Sequence, residues 1–283
     1  MLAAWDRDLP APWRKALRET RLDWNSPELD GDLLPGEIVF PGRKGKPIPA
    51  APRGSHLLLA FEHTDPFQVR AVILGQDPYP NPAWATGRAF EQGNLTEWPD
   101  EPRQVAASLR RLVQAIAAAR TGDANYVRND RAWSKLVADA RIGRLSLEPP
   151  RRFFNQLERE GVLFLNTSLT IGLIERPGAP KRCRRHFRLW APLIGRVLRC
   201  IAARPSGHAV FLLLGRHAAG VFDRSAAQAE AVRAGSWERT VGAIRHFHPA
   251  AITAEGPAFL RAPNPFSAAN HLLRRMGAAP ISW

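Results

Sequence analysis

Cysteine is nearly absent from this chain: its 283 residues include only Cys183 and Cys200. Two thiols cannot ligate a four-iron cluster, which takes four, and their spacing is not that of zinc ligands. They read as the reduced thiols of an intracellular protein, since a chain this long buries enough core to need no disulfide staple. No apolar run approaches the roughly 18 residues of a membrane helix. The N-terminus, MLAAWDRDLP, carries an early acid and no apolar segment, so a cytoplasmic rather than a secreted protein is expected. Repeats and low-complexity tracts are missing too. Acidic residues are few: 26 Asp and Glu face 40 Lys and Arg, a formal net charge of +14. Such an excess suits a polyanionic partner, because neutralised phosphates release counterions. A solvated basic surface, or a GC-rich genome's use of Arg, gives the same number.

What is present begins with an apolar fraction of 45% against 23% charged residues. That is the balance of a soluble globular chain, long enough for one large or two small domains. Residues 1–55 are rich in Pro, Gly and charge; Trp13 to Leu17 reads as a short helix and 30–55 as mostly loop. Four apolar runs follow: Val69–Leu74, Val162–Leu165, Ala209–Leu214 and Val241–Phe247. They are short, rich in β-branched and large apolar residues, and bounded by turn formers, as are strands of a parallel sheet covered on both faces. Between them Val105, Leu109, Leu112, Val113 and Ile116 form one helical stripe. Phe187, Trp190, Leu193, Ile194, Val197 and Ile201 form another. A last helix is expected from Pro265 to Met276, with Asn264 as its cap and Gly277 as its stop. The stretch 120–150 is polar and reads as an irregular insertion or long connection. Alternating strands and helices imply right-handed crossovers. The fold expected is α/β: a three-layer α/β/α sandwich around a central four-stranded, mostly parallel sheet.

In such sheets ligands bind beyond the carboxyl ends of the strands. After the first run comes GQDPYPNPAWATGRAF, residues 75–90, whose Gly75 and Pro78 make a tight turn presenting Gln76 and Asp77. Asn166 follows the second run, Gly215-Arg216-His217 the third, and His248-Pro249 the fourth. A lone Asp in a Gly/Pro turn is usually structural, and a His before Pro is usually a loop residue. Carboxylate, amide and imidazole at the same edge of one sheet together make an active site.

These segments resemble the uracil-DNA glycosylase superfamily, and within it family 1 most closely. GQDPY is intact, with Pro82, Ala85, Gly87 and Phe90 in register; GVLFLNTSLT, AVFLLLGRHA, HPAAITAEG and NPFSAANHLL are similar to the later motifs, in family order from about residue 56 onward. The resemblance implies a single domain over 1–283, with 1–55 as an N-terminal extension. It implies hydrolysis of the N-glycosidic bond of uracil in DNA, leaving an abasic site and free uracil. It makes Asp77 the catalytic carboxylate, facing an oxocarbenium-like sugar and orienting water. His248 is then the donor to uracil O2, and Asn166 the reader of the N3–H and O4 edge. Tyr79 excludes the thymine methyl, Phe90 stacks on the flipped base, and Gln76 adds amide or backbone contacts. Ile252 takes the place of the wedge that fills the vacated stack, with Thr253 beside it. His217, Arg261, Arg274, Arg275, Arg184 and Arg185 are candidate phosphate contacts.

The sequence departs from the family pattern near the DNA. Pro80 replaces the histidine that ends GQDPYH, and Asn81 and Ala83 replace glycines. Ala250 and Ala251 replace the Ser-Pro of HPSPLS, and the segment before the last helix is longer. Base chemistry is therefore expected to persist while duplex gripping is altered. The resemblance implies no metal or organic cofactor, and no Lys sits in these motifs to form a Schiff base, so a monofunctional monomer is expected. A catalytically idle DNA-binding protein on the same fold, a glycosylase of shifted base choice and a small-molecule nucleosidase are the competing readings.

Overall fold

The computed structural model describes residues 4–22, 37–174, 181–182 and 185–283. The first elements are α1 (Ala11–Leu17), β1 (Glu37–Phe40), β2 (Ala71–Gly75), α2 (Ala107–Thr121), α3 (Ala132–Arg141), α4 (Pro150–Arg159) and β3 (Val162–Asn166). Next come β4 (Ile171–Ile174), β5 (Lys181–Arg182), α5 (Arg185–Ala202), β6 (Ala209–Leu214), α6 (Arg216–Arg224), α7 (Ala227–Arg233) and β7 (Val241–His246). The chain closes with β8 (Ile252–Thr253), β9 (Gly256–Pro257), α8 (Ala258–Arg261) and α9 (Pro265–Arg275).

The four apolar runs pair, all parallel, in the order β3-β2-β6-β7. Because side chains alternate across a strand, one face carries Val72, Leu74, Leu163, Leu165, Phe211 and Leu213. These pack against Trp13 of α1, the Trp190–Ile201 stripe of α5, and Phe222 of α6. The other face carries Ile73, Val162, Phe164, Val210 and Leu212 against α2, α4, α9 and Trp283. Each large apolar side chain buried this way contributes about 1.5–3 kcal/mol, so two such faces account for strands with no polar side. The result is the expected three-layer sandwich. Asn264 caps α9 by accepting from the amides of Phe266 and Ser267, at 2.9 and 3.3 Å, as its position promised.

One expectation needs correction. The stretch 120–150 is not irregular: it holds α3, whose Trp133, Leu136 and Val137 are buried in the same core as α2. Three apolar residues on a helix with no side-chain cap are too short a stripe to read among so many charges. Of 30–55 the described residues 37–55 are mostly loop, as expected, apart from β1, which pairs antiparallel with β4; β4 in turn pairs with β5. Residues 252–257 form the small β8–β9 hairpin. Among the described residues no helix is long and apolar enough to cross a membrane.

Candidate active site

β2 and β3 end side by side, Gly75 opposite Asn166. Beyond them the backbones stay knitted: the Thr167 amide donates to the Gly75 carbonyl at 3.0 Å and the Ser168 amide to that of Gln76 at 3.0 Å. The Thr167 hydroxyl also donates to the Gln76 carbonyl, at 2.6 Å. The turn carrying Asp77 is thus held by main-chain bonds. A methyl group on Gly75 would lie 2.6 Å from Asn166 Oδ1 and 2.8 Å from Ala89 Cβ, so only glycine lets the amide come this close to the turn. Asn166 is 2% exposed. Among the described residues nothing hydrogen-bonds its side-chain amide.

A cavity of ≈ 180 Å³ opens at this edge, and Gln76, Asp77, Tyr79, Phe90, Asn166 and His248 all line it. Six candidates chosen from segments far apart in sequence therefore share one cavity. Phe90 forms its wall with a backbone φ of +66°. That left-handed conformation costs a bulky residue about 1–2 kcal/mol, and it sets the ring 6.1 Å from that of His248. Tyr79 donates its hydroxyl to the Phe90 carbonyl at 3.2 Å and meets the Ser108 hydroxyl at 3.0 Å. Burial of the phenol raises its pKa, so it stays protonated. The Tyr79 ring is locked against Trp84, edge to face, with centroids 5.8 Å apart.

His248 follows β7. Its Nδ1 accepts from the Ala250 amide at 3.0 Å, and the Ala251 amide donates back to the His248 carbonyl at 2.9 Å. Burial lowers the imidazole pKa, favouring the neutral ring. With Nδ1 accepting, the proton of a neutral ring sits on Nε2, which makes that nitrogen a donor. Gly215 gives the ring its place, since a Cβ there would lie 2.8 Å from that of His248.

No family model matches the chain. Its sequence is 30% identical to the uracil-DNA glycosylase of Mycobacterium sp. (strain KMS) over 233 residues, 82% of this chain and 80% of that protein. It is also 30% identical to the uracil-DNA glycosylase of Parafrankia sp. (strain EAN1pec), covering 98% of this chain and 96% of the other. The chain belongs to the uracil-DNA glycosylase family. The fold of this glycosylase is similar to that of the UNG crystal structure from Nitratifractor salsuginis, at TM-score 0.59 and 23% identity, covering 95% of each chain. Mimivirus uracil-DNA glycosylase is similar at TM-score 0.58 and 15% identity, covering 99% of this chain and 88% of that one.

The remaining candidates of this glycosylase lie outside the cavity. Ile252 is 62% exposed at the start of β8, paired with Pro257, and Thr253 beside it donates its hydroxyl to the Gly256 carbonyl at 3.0 Å. Arg261 is exposed and paired with Glu255 at 2.5 Å. His217 is not brought to open solvent. Its Nε2 lies 2.9 Å from the Thr167 hydroxyl, whose own proton goes to Gln76, and its ring stacks near Phe187 at 4.8 Å. It ties α6 to the end of β3. Arg274 and Arg275 sit exposed in the last turn of α9. Arg184, like Cys183, falls outside the described residues, as does the side chain of Arg185.

Sequence reasoning missed Ser108 and Arg88. Ser108 sits at the start of α2, where Ser-Leu before an apolar stripe reads as an ordinary helix opening; only its contact with Tyr79 gives it meaning. Arg88 lines the cavity but is fully engaged by Glu91, Asn155 and Glu158. Burial, only partly offset by Arg88, pushes Glu158 up to about 8.

Proposed function

We propose that this glycosylase takes uracil, rotated out of DNA, into the Asp77–Asn166–His248 cavity and hydrolyses its N-glycosidic bond. As a family member it is a DNA-repair glycosidase, and its relatives bear the name uracil-DNA glycosylase. The observation that carries the assignment of roles is the convergence of Asp77, Tyr79, Phe90, Asn166 and His248 on one small cavity.

In this reading the C1′–N1 bond breaks with its electron pair leaving on the base. Negative charge grows on uracil O2, where the Nε2–H of a neutral His248 donates. Positive charge grows on the sugar, facing the Asp77 carboxylate. That carboxylate then orients water, whose oxygen bonds C1′ and leaves an abasic sugar. Asn166 pairs its carbonyl with N3–H and its amide with O4. Cytosine presents the reverse pattern and would leave buried polar groups unpaired, worth about 1–3 kcal/mol each. The locked Tyr79 ring leaves no room for a methyl at C5. Phe90 supplies the stacking face. Ile252, exposed on β8 of its hairpin, fills the gap in the duplex. We take the protein to be an intracellular monomer that uses no cofactor and leaves the strand uncut.

The test is excision from single-stranded and duplex oligonucleotides carrying one uracil, read as strand scission after alkali. Wild type should cut both, and Asp77→Asn should lose on the order of 10²-fold or more. Uracil DNA bound but never cleaved would replace this reading with that of an idle binder.

A further inference from the structure

Beside the base cavity lies a second, wider concavity that no role so far assigned uses. Gly215, Arg216, Arg245, Phe247, Ala251 and Ala262 line it, and it shares His248 with the first. Gly215, Ala251 and Ala262 among its lining are small. Phe247 is 51% exposed on its wall, an aromatic kept in water one residue from the catalytic imidazole. The ring is braced. His246 meets it edge to face with centroids 6.0 Å apart, and His246 is itself set against Phe259 at 4.9 Å and donates from Nε2 to the Pro263 carbonyl at 3.0 Å.

The charges fit a nucleotide. Arg245 is held by Asp223, but among the described residues Arg216 has no acidic partner and is exposed. A lone exposed phenylalanine is ordinary. One held in place on the rim of a base-binding cavity, within a concavity that also carries a free guanidinium, has what single-strand binding needs: a stacking face and a phosphate contact.

We propose that Phe247 and Arg216 form a subsite for the nucleotide adjoining the uridine in the same strand, Phe247 stacking on its base and Arg216 meeting its phosphate. The two sites adjoin, since His248 lines both. A base inside a duplex has both faces covered by its neighbours, so the Phe247 face is available only to a base freed from the stack. The subsite therefore favours single-stranded or locally opened DNA. The proposal rests on the glycosylase reading of the first cavity.

It is tested with single-stranded and duplex oligonucleotides carrying 2-aminopurine next to uracil, bound to the Asp77→Asn protein so that excision does not intervene. Binding should quench the 2-aminopurine, and the quench should vanish in Asp77→Asn/Phe247→Ala but persist in Asp77→Asn/Phe247→Trp. Phe247→Ala should weaken single-strand affinity roughly 10-fold or more, and the duplex less. Arg216→Gln should lower the salt dependence of binding by about one phosphate contact. Unchanged quenching in the Phe247→Ala protein, or equal loss on single strand and duplex, overturns the proposal. Failure of the glycosylase reading appears separately, as absence of uracil excision by the wild type.

Discussion

Arg111 of α2 donates from Nη1 to the carbonyl oxygen of Pro249, 2.8 Å away and 138 residues along the chain. Its Nε and Nη2 grip both oxygens of Asp130 at 2.8 and 2.7 Å. Asp130 is preset by Gln114, which is fully buried and donates to the Tyr126 and Asn129 carbonyls at 2.9 Å each. The stretch 120–150 thus reaches the His248 loop through one guanidinium.

Truncating that guanidinium should disturb catalysis more than binding. Arg111→Ala frees the Pro249 carbonyl and leaves Asp130 only Arg110, at 3.3 Å. A displacement of the imidazole by about 1 Å can cost 10²-fold, so kcat should fall roughly 10- to 100-fold. Arg111→Lys keeps one charge without the fork and should fall between. Steady-state kinetics on a uracil oligonucleotide decide it: a change confined to KM would mean that the loop does not depend on Arg111.

Acid should switch off His248 below the usual histidine range. Burial holds its pKa under 6.5, so the folded value is lower than the unfolded one. The neutral ring's contribution to stability is whole above the unfolded value and is lost as pH falls through it toward the folded one. Protonation also places an N–H against the Ala250 amide that Nδ1 now accepts. Carbon-detected NMR titration of the ring should give a midpoint below 6.5, and one at or above it would sink the neutral-donor assignment.

Tyr79 separates two effects. In the proposed reading the Tyr79 ring blocks the C5 methyl, so Tyr79→Ala should gain thymine excision. Tyr79→Phe keeps the ring and its discrimination but deletes the bonds to the Phe90 carbonyl and Ser108, costing about 1 kcal/mol in unfolding free energy. If Tyr79→Ala still ignores thymine, the ring is not the selector.

At Gly75 a single methyl should matter. Gly75→Ala drives a Cβ to 2.6 Å from Asn166 Oδ1 and 2.8 Å from Ala89. Such overpacking costs about 1–3 kcal/mol, which the fold should survive, while uracil excision falls on the order of 10²-fold. Thermal melts beside excision rates test this, and full activity in a folded variant would show that Asn166 need not be held.

Much of this was legible because its signals are local. Ala209–Leu214 reads as a buried strand from composition alone, and Asn264-Pro265 announces a helix start whatever lies around it. Gly75, Asp77, Asn166 and His248 could be named because a parallel sheet brings every strand's carboxyl end to one edge. The GQDPY and HP motifs then suggested which residues there act. What sequence did not disclose depends on contacts between distant segments. α3 is held by a core it shares with α2, not by its own stripe or caps. The left-handed backbone of Phe90 and the service of Ser108 to Tyr79 follow from packing around the cavity. His217, a plausible phosphate contact at a helix start, is claimed by Thr167 because α6 begins where β3 ends. Local sequence was enough for the strands, their shared edge and the residue types placed on it. Packing was needed to say which nitrogen of His248 carries the proton, which arginines are paired and which are not. Hydrogen-bond and ion-pair partners are fixed by distances of a few ångströms between residues that, like Arg111 and Pro249, stand more than a hundred positions apart.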